Sequence, residues 1–244
     1  ALAEALGAPV FEDPARTYLN FPQDHPLHAG FDAGPHLATA DAVVVVEADA
    51  PWFPALRTPS AEARIIQIGM DPLYSRYPVR GFPTDGALAG APRLTLAALA
   101  AALKPLVDAK VVAERRRKWE AEAVEQRDAV ATRARAVSGD SPIDMAWASR
   151  CVADCIDDNT IVVNEYDLDS SQTRMRVPGS YFGSSPAGGL GWALGAALGA
   201  RLAAPGKTVI SCMGDGTYIF GSPTASHWVS RAYQIPALFV VFNN

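Results

Sequence analysis

The sequence predicts an α/β protein of two open parallel-sheet domains, an expectation that rests on three observations. Short apolar runs recur along the chain, at Ala42 to Glu47, Arg64 to Ile68, Ile161 to Glu165, Val209 to Gly214 and Ala237 to Phe242. Their length and their valine and isoleucine content suit strands buried on both faces of a parallel sheet. Helical patterns lie between the runs, as at Leu94 to Leu103 and Ile143 to Ile156, so that strands and helices alternate. Finally, Thr217 to Pro236 is long enough for a turn, a helix and a return loop, the connection that two parallel strands need.

In chain order, a helix-like start leads into a short strand at Ala8 to Val10, and the first domain is expected over residues 1–107. Residues 108–140 read as a helical connector, rich in alanine and charge, with Glu114 to Asp128 as an exposed helix. Arg115 to Lys118 could form a nucleic-acid patch, but the acids around them favour a solvated helix face. The second domain spans 141–244, with an N-cap near Ser141-Pro142 ahead of the helix Ile143 to Ile156. Since the chain stops at a strand tip, it is expected to be an internal piece of a longer polypeptide, truncated within both domains.

Composition excludes several classes. A net charge of −5 argues against nucleic acid as the main partner. Cys151, Cys155 and Cys212 contain no CxxC pair, hence neither a disulfide nor a zinc framework; reduced, buried thiols in a cytoplasmic protein are expected. No apolar run reaches the roughly 20 residues of a membrane span, and the longest, Ala187 to Leu198, is halted by Arg201. Within it Gly191, Gly195 and Gly199 recur every fourth residue, a pattern for close packing against a sheet or a partner helix. His25 and His28 straddle Pro26 without an acidic or thiol partner, so a loop is expected rather than a zinc site. His227 has no paired nucleophile.

The pattern that carries chemistry is Gly214-Asp215-Gly216, then twenty-six residues, then Asn243-Asn244. It places a carboxylate and two amides at the carboxyl ends of two strands. If these are neighbours, about 4.8 Å apart, two such side chains can reach one Mg²⁺ at about 2.1 Å each. The glycines allow a bulky anion to approach the backbone. A metal-diphosphate site at the carboxyl edge of a parallel sheet is the result.

GDG followed at this distance by NN resembles the thiamine diphosphate (ThDP) motif of the ThDP-dependent enzymes. Pro178 to Gly216 resembles the cofactor domain of the acetolactate synthase and benzoylformate decarboxylase group, and Ala40 to Pro54 with Ala63 to Pro78 resembles that group's middle domain. The resemblance implies a Rossmann-like middle domain followed by part of the ThDP-binding domain. It implies Asp215 and Asn244 as Mg²⁺ ligands, with Asn243 supporting the turn. Gly214, Gly216 and Thr217 would lie at the diphosphate, the last two offering N–H and hydroxyl donors. In Ala187 to Gly191 a dinucleotide fingerprint fails, because Leu194 stands where a small residue is required. The ThDP pattern fits there instead: Leu190 is the apolar wedge under the bent cofactor, and the Gly188 carbonyl accepts from its amino group. One departure stands out. Where the family carries polar groups that touch the diphosphate, Glu165 is followed by Tyr166, Asp167, Leu168 and Asp169, and carboxylates repel such a group.

The activity implied is ThDP- and Mg²⁺-dependent decarboxylation of a 2-oxo acid with carboligation, acetolactate synthase-like. The alternatives are a benzoylformate decarboxylase-like enzyme and a non-catalytic ThDP-fold binding subunit. Ala50 to Trp52 and Ile65 to Pro72 resemble the synthase branch, while the pocket aromatic of the aryl decarboxylases falls near Ser184. No residue of this chain is a catalytic candidate, since the family's glutamate belongs to another domain; alone, the chain is expected to be inactive. Many synthases bind FAD on the middle domain, and no segment here decides for or against it. A homodimer or homotetramer is implied, with no nucleic acid or membrane partner.

Overall fold

The computed structural model describes residues 1–183 and 187–243. The chain divides into two compact units, one of residues 1–13 with 29–123, the other of residues 14–28 with 124–244. Both are α/β with parallel sheets, as the sequence predicts. No helix among the described residues is long and apolar enough to cross a membrane.

The first unit opens with α1 (Leu2–Leu6) and α2 (Gly34–Leu37), followed by β1 (Ala42–Val46), β2 (Arg64–Gly69), β3 (Gly86–Ala89) and α3 (Pro92–Leu103). The sheet order is β1-β2-β3, all parallel. Leu37, Val45, Trp52, Ala63 and Ile65 form its core. Ala8 to Val10 does not form the expected strand: the Ala8 N–H closes α1 onto the Ala3 carbonyl, and Val10 makes only an isolated bridge, its carbonyl accepting from the Ala29 N–H. Strand β3 escapes the sequence pattern because its residues, GALA, include no β-branched side chain. It is registered from outside instead, by Asp85, whose carboxylate takes the Ile65 N–H at 2.8 Å while its own N–H reaches the Ile65 carbonyl at 2.8 Å.

A long helix, α4 (Ala109–Ala136), carries Arg115 to Lys118 on an exposed surface, as expected of a solvated face. Then come α5 (Met145–Ala153), β4 (Thr160–Glu165), a 3₁₀ turn (Ser170–Gln172), β5 (Tyr181–Gly183), α6 (Trp192–Ala203), β6 (Thr208–Gly214), α7 (Asp215–Phe220), α8 (Pro223–Ala232) and β7 (Leu238–Phe242). The N-cap of α5 is Asp144 rather than Ser141; its side chain takes the Ala146 N–H at 2.7 Å. The second sheet runs β5-β4-β6-β7, all parallel. Helix α6 buries Ala193, Leu194 and Ala197 on it.

Three expectations are corrected in this unit. Gly195 and Gly199 are exposed with open space where a Cβ would stand, so these two glycines do not pack α6 on the sheet. Cys151 and Cys155 are exposed; only Cys212 is buried. The crossover holds two helices instead of one, and α7 begins at Asp215 itself. Residues 14–28 join this unit through Gln23, which accepts from Met175 N (2.6 Å) and Thr173 Oγ1 (2.8 Å) and donates to the Ser170 carbonyl (3.1 Å). Tyr18 bridges to Phe182, and His25 lies in this loop segment stacked edge-on against Phe21.

Candidate functional site

Strands β6 and β7 are direct neighbours, with Gly214 opposite Phe242. Asp215 and Asn243 therefore leave the carboxyl edge side by side, as the spacing of the two motifs requires. Asp215 is half-buried, and its Oδ1 takes the Gly216 N–H at 2.7 Å. Gly216 is exposed, and nothing lies within 4 Å of where its Cβ would be. Asn244, the second expected metal ligand, and Ser184 lie outside the described residues. Among the described residues no group of three or more His, Cys, Asp or Glu side chains could hold a metal ion.

Glu165, at the end of β4, organises this edge. It is fully buried and accepts three hydrogen bonds, from Gly191 N (2.8 Å), Ala193 N (2.7 Å) and Thr217 Oγ1 (3.1 Å). Two of these donors are among the unpaired N–H groups that open α6, so a strand-end carboxylate caps a helix two elements away. The same side chain fixes the start of α7 through Thr217. This corrects the expectation for Thr217: its hydroxyl points inward to Glu165, and the residue is 5% exposed. The other carboxylates of the departure are engaged as well. Asp169 caps the 3₁₀ turn at Ser171 N (2.9 Å), and Asp167 takes the Gly214 N–H. Burial pushes the Asp167 carboxyl up, the Gly214 bond opposes that, and the nearby Glu165 and Asp215 add to it.

The glycine cluster has a shape of its own. Gly188 (φ +69°) and Gly191 (φ +86°) adopt the left-handed conformation. A Cβ on Gly191 would meet the Gly221 backbone at 2.9 Å, and one on Gly221 would meet Leu194 Cδ1 at 2.5 Å. This close approach draws the start of α6 onto the end of α7. Leu190, between the two left-handed turns, is 50% exposed, and Tyr166, itself at φ +76°, brings its hydroxyl to 3.8 Å from a Cβ position on Gly188. Sequence reading missed the Glu165 clamp and the Gly191 to Gly221 contact. A lone buried carboxylate closing an apolar strand was the available signal for the first.

These residues fit a diphosphate-bearing cofactor. Asp215 and Asn243 stand together at the sheet edge, Gly216 is open to a large anion, and Leu190 is half exposed in the turn that Gly188 begins. Residues 166–244 match the family "Thiamine pyrophosphate enzyme, C-terminal TPP binding domain". Over these residues the chain is similar to the cofactor-binding domain of the thiamine diphosphate-dependent enzymes. Benzoylformate decarboxylase of Pseudomonas aeruginosa is 44% identical over 73 residues, 30% of this chain and 13% of that protein. A probable acetolactate synthase large subunit of Methanocaldococcus jannaschii is 28% identical across 92% of this chain and 39% of its own length. Among solved structures, the Rhodococcus jostii RHA1 ThDP-dependent 4-hydroxybenzoylformate decarboxylase superposes with a TM-score of 0.69 at 27% identity, covering 100% of this chain and 44% of that one. Benzoylformate decarboxylase from Polynucleobacter necessarius shares the fold, with a TM-score of 0.70 at 20% identity over 99% of this chain and 44% of its own. The chain thus spans less than half the length of each of these relatives.

Proposed function

We propose that the protein takes part in ThDP- and Mg²⁺-dependent cleavage of a 2-oxo acid with loss of carbon dioxide. The observation that carries this reading is the side-by-side exit of Asp215 and Asn243 from neighbouring parallel strands. When bound, ThDP supplies the electron sink that such a cleavage needs. The chain's own part is to bind and orient. Asp215 would hold Mg²⁺, with Asn244 as a second ligand and Asn243 supporting the turn, while the backbone at Gly214 and Gly216 lies against the diphosphate. Thr217 contributes through its backbone, since its hydroxyl holds Glu165. Leu190 would support the cofactor rings from below, and the Gly188 carbonyl would accept from the amino group.

The finer reading is acetolactate synthase-like, favoured by the alignment across 92% of the chain. A benzoylformate decarboxylase-like activity is favoured by the 44% identity that falls within the cofactor region. Product analysis separates the two. The natural gene product carrying this sequence is given pyruvate or benzoylformate with ThDP and Mg²⁺. Acetolactate from pyruvate supports the synthase; benzaldehyde from benzoylformate supports the decarboxylase; turnover that persists without ThDP contradicts both. We place the protein in the cytoplasm as a homodimer or homotetramer, to be checked by fractionation and light scattering.

A further inference from the structure

The amino-terminal edge of the second sheet, opposite Asp215, holds a cavity of about 270 Å³ that the cofactor reading does not use. Strand β4 has six residues, which sets the two edges roughly 20 Å apart. The cavity is walled by the end of α5, the Asp157-Asp158 turn before β4, the stretch 172–177, and Ser180 just ahead of β5.

Its carboxylates are all engaged. Asp154 pairs with Arg150 at 2.5 Å and Asp158 with Arg176 at 2.5 Å. Asp157 accepts from Asn159 N (2.9 Å) and Thr160 Oγ1 (2.7 Å). Arg174, in contrast, makes no ion pair among the described residues. Its charge acts on another cation outside the cavity wall, Arg127, whose Nη1 is buried without a hydrogen-bond partner. Two more orphaned groups line the wall: Gln172 Oε1 and Ser180 Oγ lack partners, and both residues are 4% exposed. Buried polar atoms are nearly always paired, and leaving them unpaired is costly. A guanidinium without an ion pair on the same wall as two unpartnered oxygens, Gln172 Oε1 and Ser180 Oγ, suits a ligand that brings an oxyanion and a hydrogen-bond donor.

We propose that this cavity binds a small organic anion that also carries a hydroxyl or ammonium group. The oxyanion sits on the Arg174 guanidinium, and the donor end serves Gln172 Oε1 and Ser180 Oγ. Lactate and acetate are suitable probes, because they differ in the donor while sharing the carboxylate. In calorimetric titrations of the purified protein, lactate saturates one site and acetate binds about tenfold more weakly, the loss of one hydrogen bond to a buried group. Arg174 is exposed and its replacement leaves the fold intact; Arg174→Gln weakens lactate at least tenfold. Gln172→Leu abolishes the preference for lactate over acetate. Asp215→Ala changes neither, so failure here and failure of the cofactor reading are separable. Absence of saturable lactate binding, lactate binding untouched by Arg174→Gln, or a crystal grown in lactate that shows only water in the cavity overturns the proposal.

Discussion

Replacing Glu165 with alanine removes the acceptor of three hydrogen bonds at once. Gly191 N, Ala193 N and Thr217 Oγ1 all lose their partner, and Ala193 and Thr217 are buried, so water cannot replace it. An unsatisfied buried donor costs about 1 to 3 kcal/mol. Taking the low end for each, and adding the lost carboxylate at the start of α6, gives about 4 kcal/mol. For a unit of this size that corresponds to a fall in Tm of roughly 10 to 15 °C. Glu165→Gln preserves the shape and one acceptor but turns an NH₂ toward a donor, so about half that loss is expected. Urea unfolding gives the free energies, and hydrogen exchange at Ala193 reports the clamp locally, with much faster exchange in both variants. An alanine variant within about 1 kcal/mol of wild type, with unchanged exchange at Ala193, would falsify the clamp.

Three further outcomes follow from separate parts of the molecule. Gly221→Ala places a methyl group 2.5 Å from Leu194 Cδ1 and should destabilise the second unit by about 1 to 3 kcal/mol, whereas Gly139→Ala, with open space around it, should not; equal effects in urea melts contradict the packing. Burial pushes the Cys212 thiol up to about 12, so Ellman's reagent should label Cys151 and Cys155 in the native protein and reach Cys212 only after unfolding. Asp85 is held below the usual carboxylate range by the Ile65 N–H and then by Arg64. Its contribution is therefore present above that range and lost as pH falls through the lowered folded value, so the stability gap between wild type and Asp85→Ala should be constant above the usual carboxylate range and narrow as the pH falls below it. A gap that persists in acid removes the carboxylate from the account.

Part of the second sheet was legible because its main strands are apolar: Val209 to Gly214 and Ala237 to Phe242 read as parallel strands from their crossover, and the structure makes them neighbours. Where the sequence fell short, a partner supplied the order. Strand β3 depends on Asp85, β5 has three residues and pairs through β4, and residues 14–28 enter the second unit through the side chain of Gln23. No local pattern encodes such distant bonds. Asp215 and Gly216 were singled out by motif spacing, and Gly188 by the resemblance to the ThDP-dependent enzymes. Glu165 drew notice as a repulsive departure, and its inward turn could not be foreseen without knowing where the Gly191 and Ala193 N–H groups lie. The same applies to Thr217, whose hydroxyl had a competing partner fifty-two positions away.

The central claim is that Asp215 holds the metal through which this sheet edge retains ThDP. The direct measurement is ThDP affinity of the natural gene product and its Asp215→Ala variant, each with and without Mg²⁺, by calorimetry. Wild type should bind tightly only with Mg²⁺, and the variant should lose roughly a hundredfold or more, the scale of a lost metal-ligating charge. Equal ThDP affinity in the two proteins, both in Mg²⁺ and in chelator, would contradict the assignment.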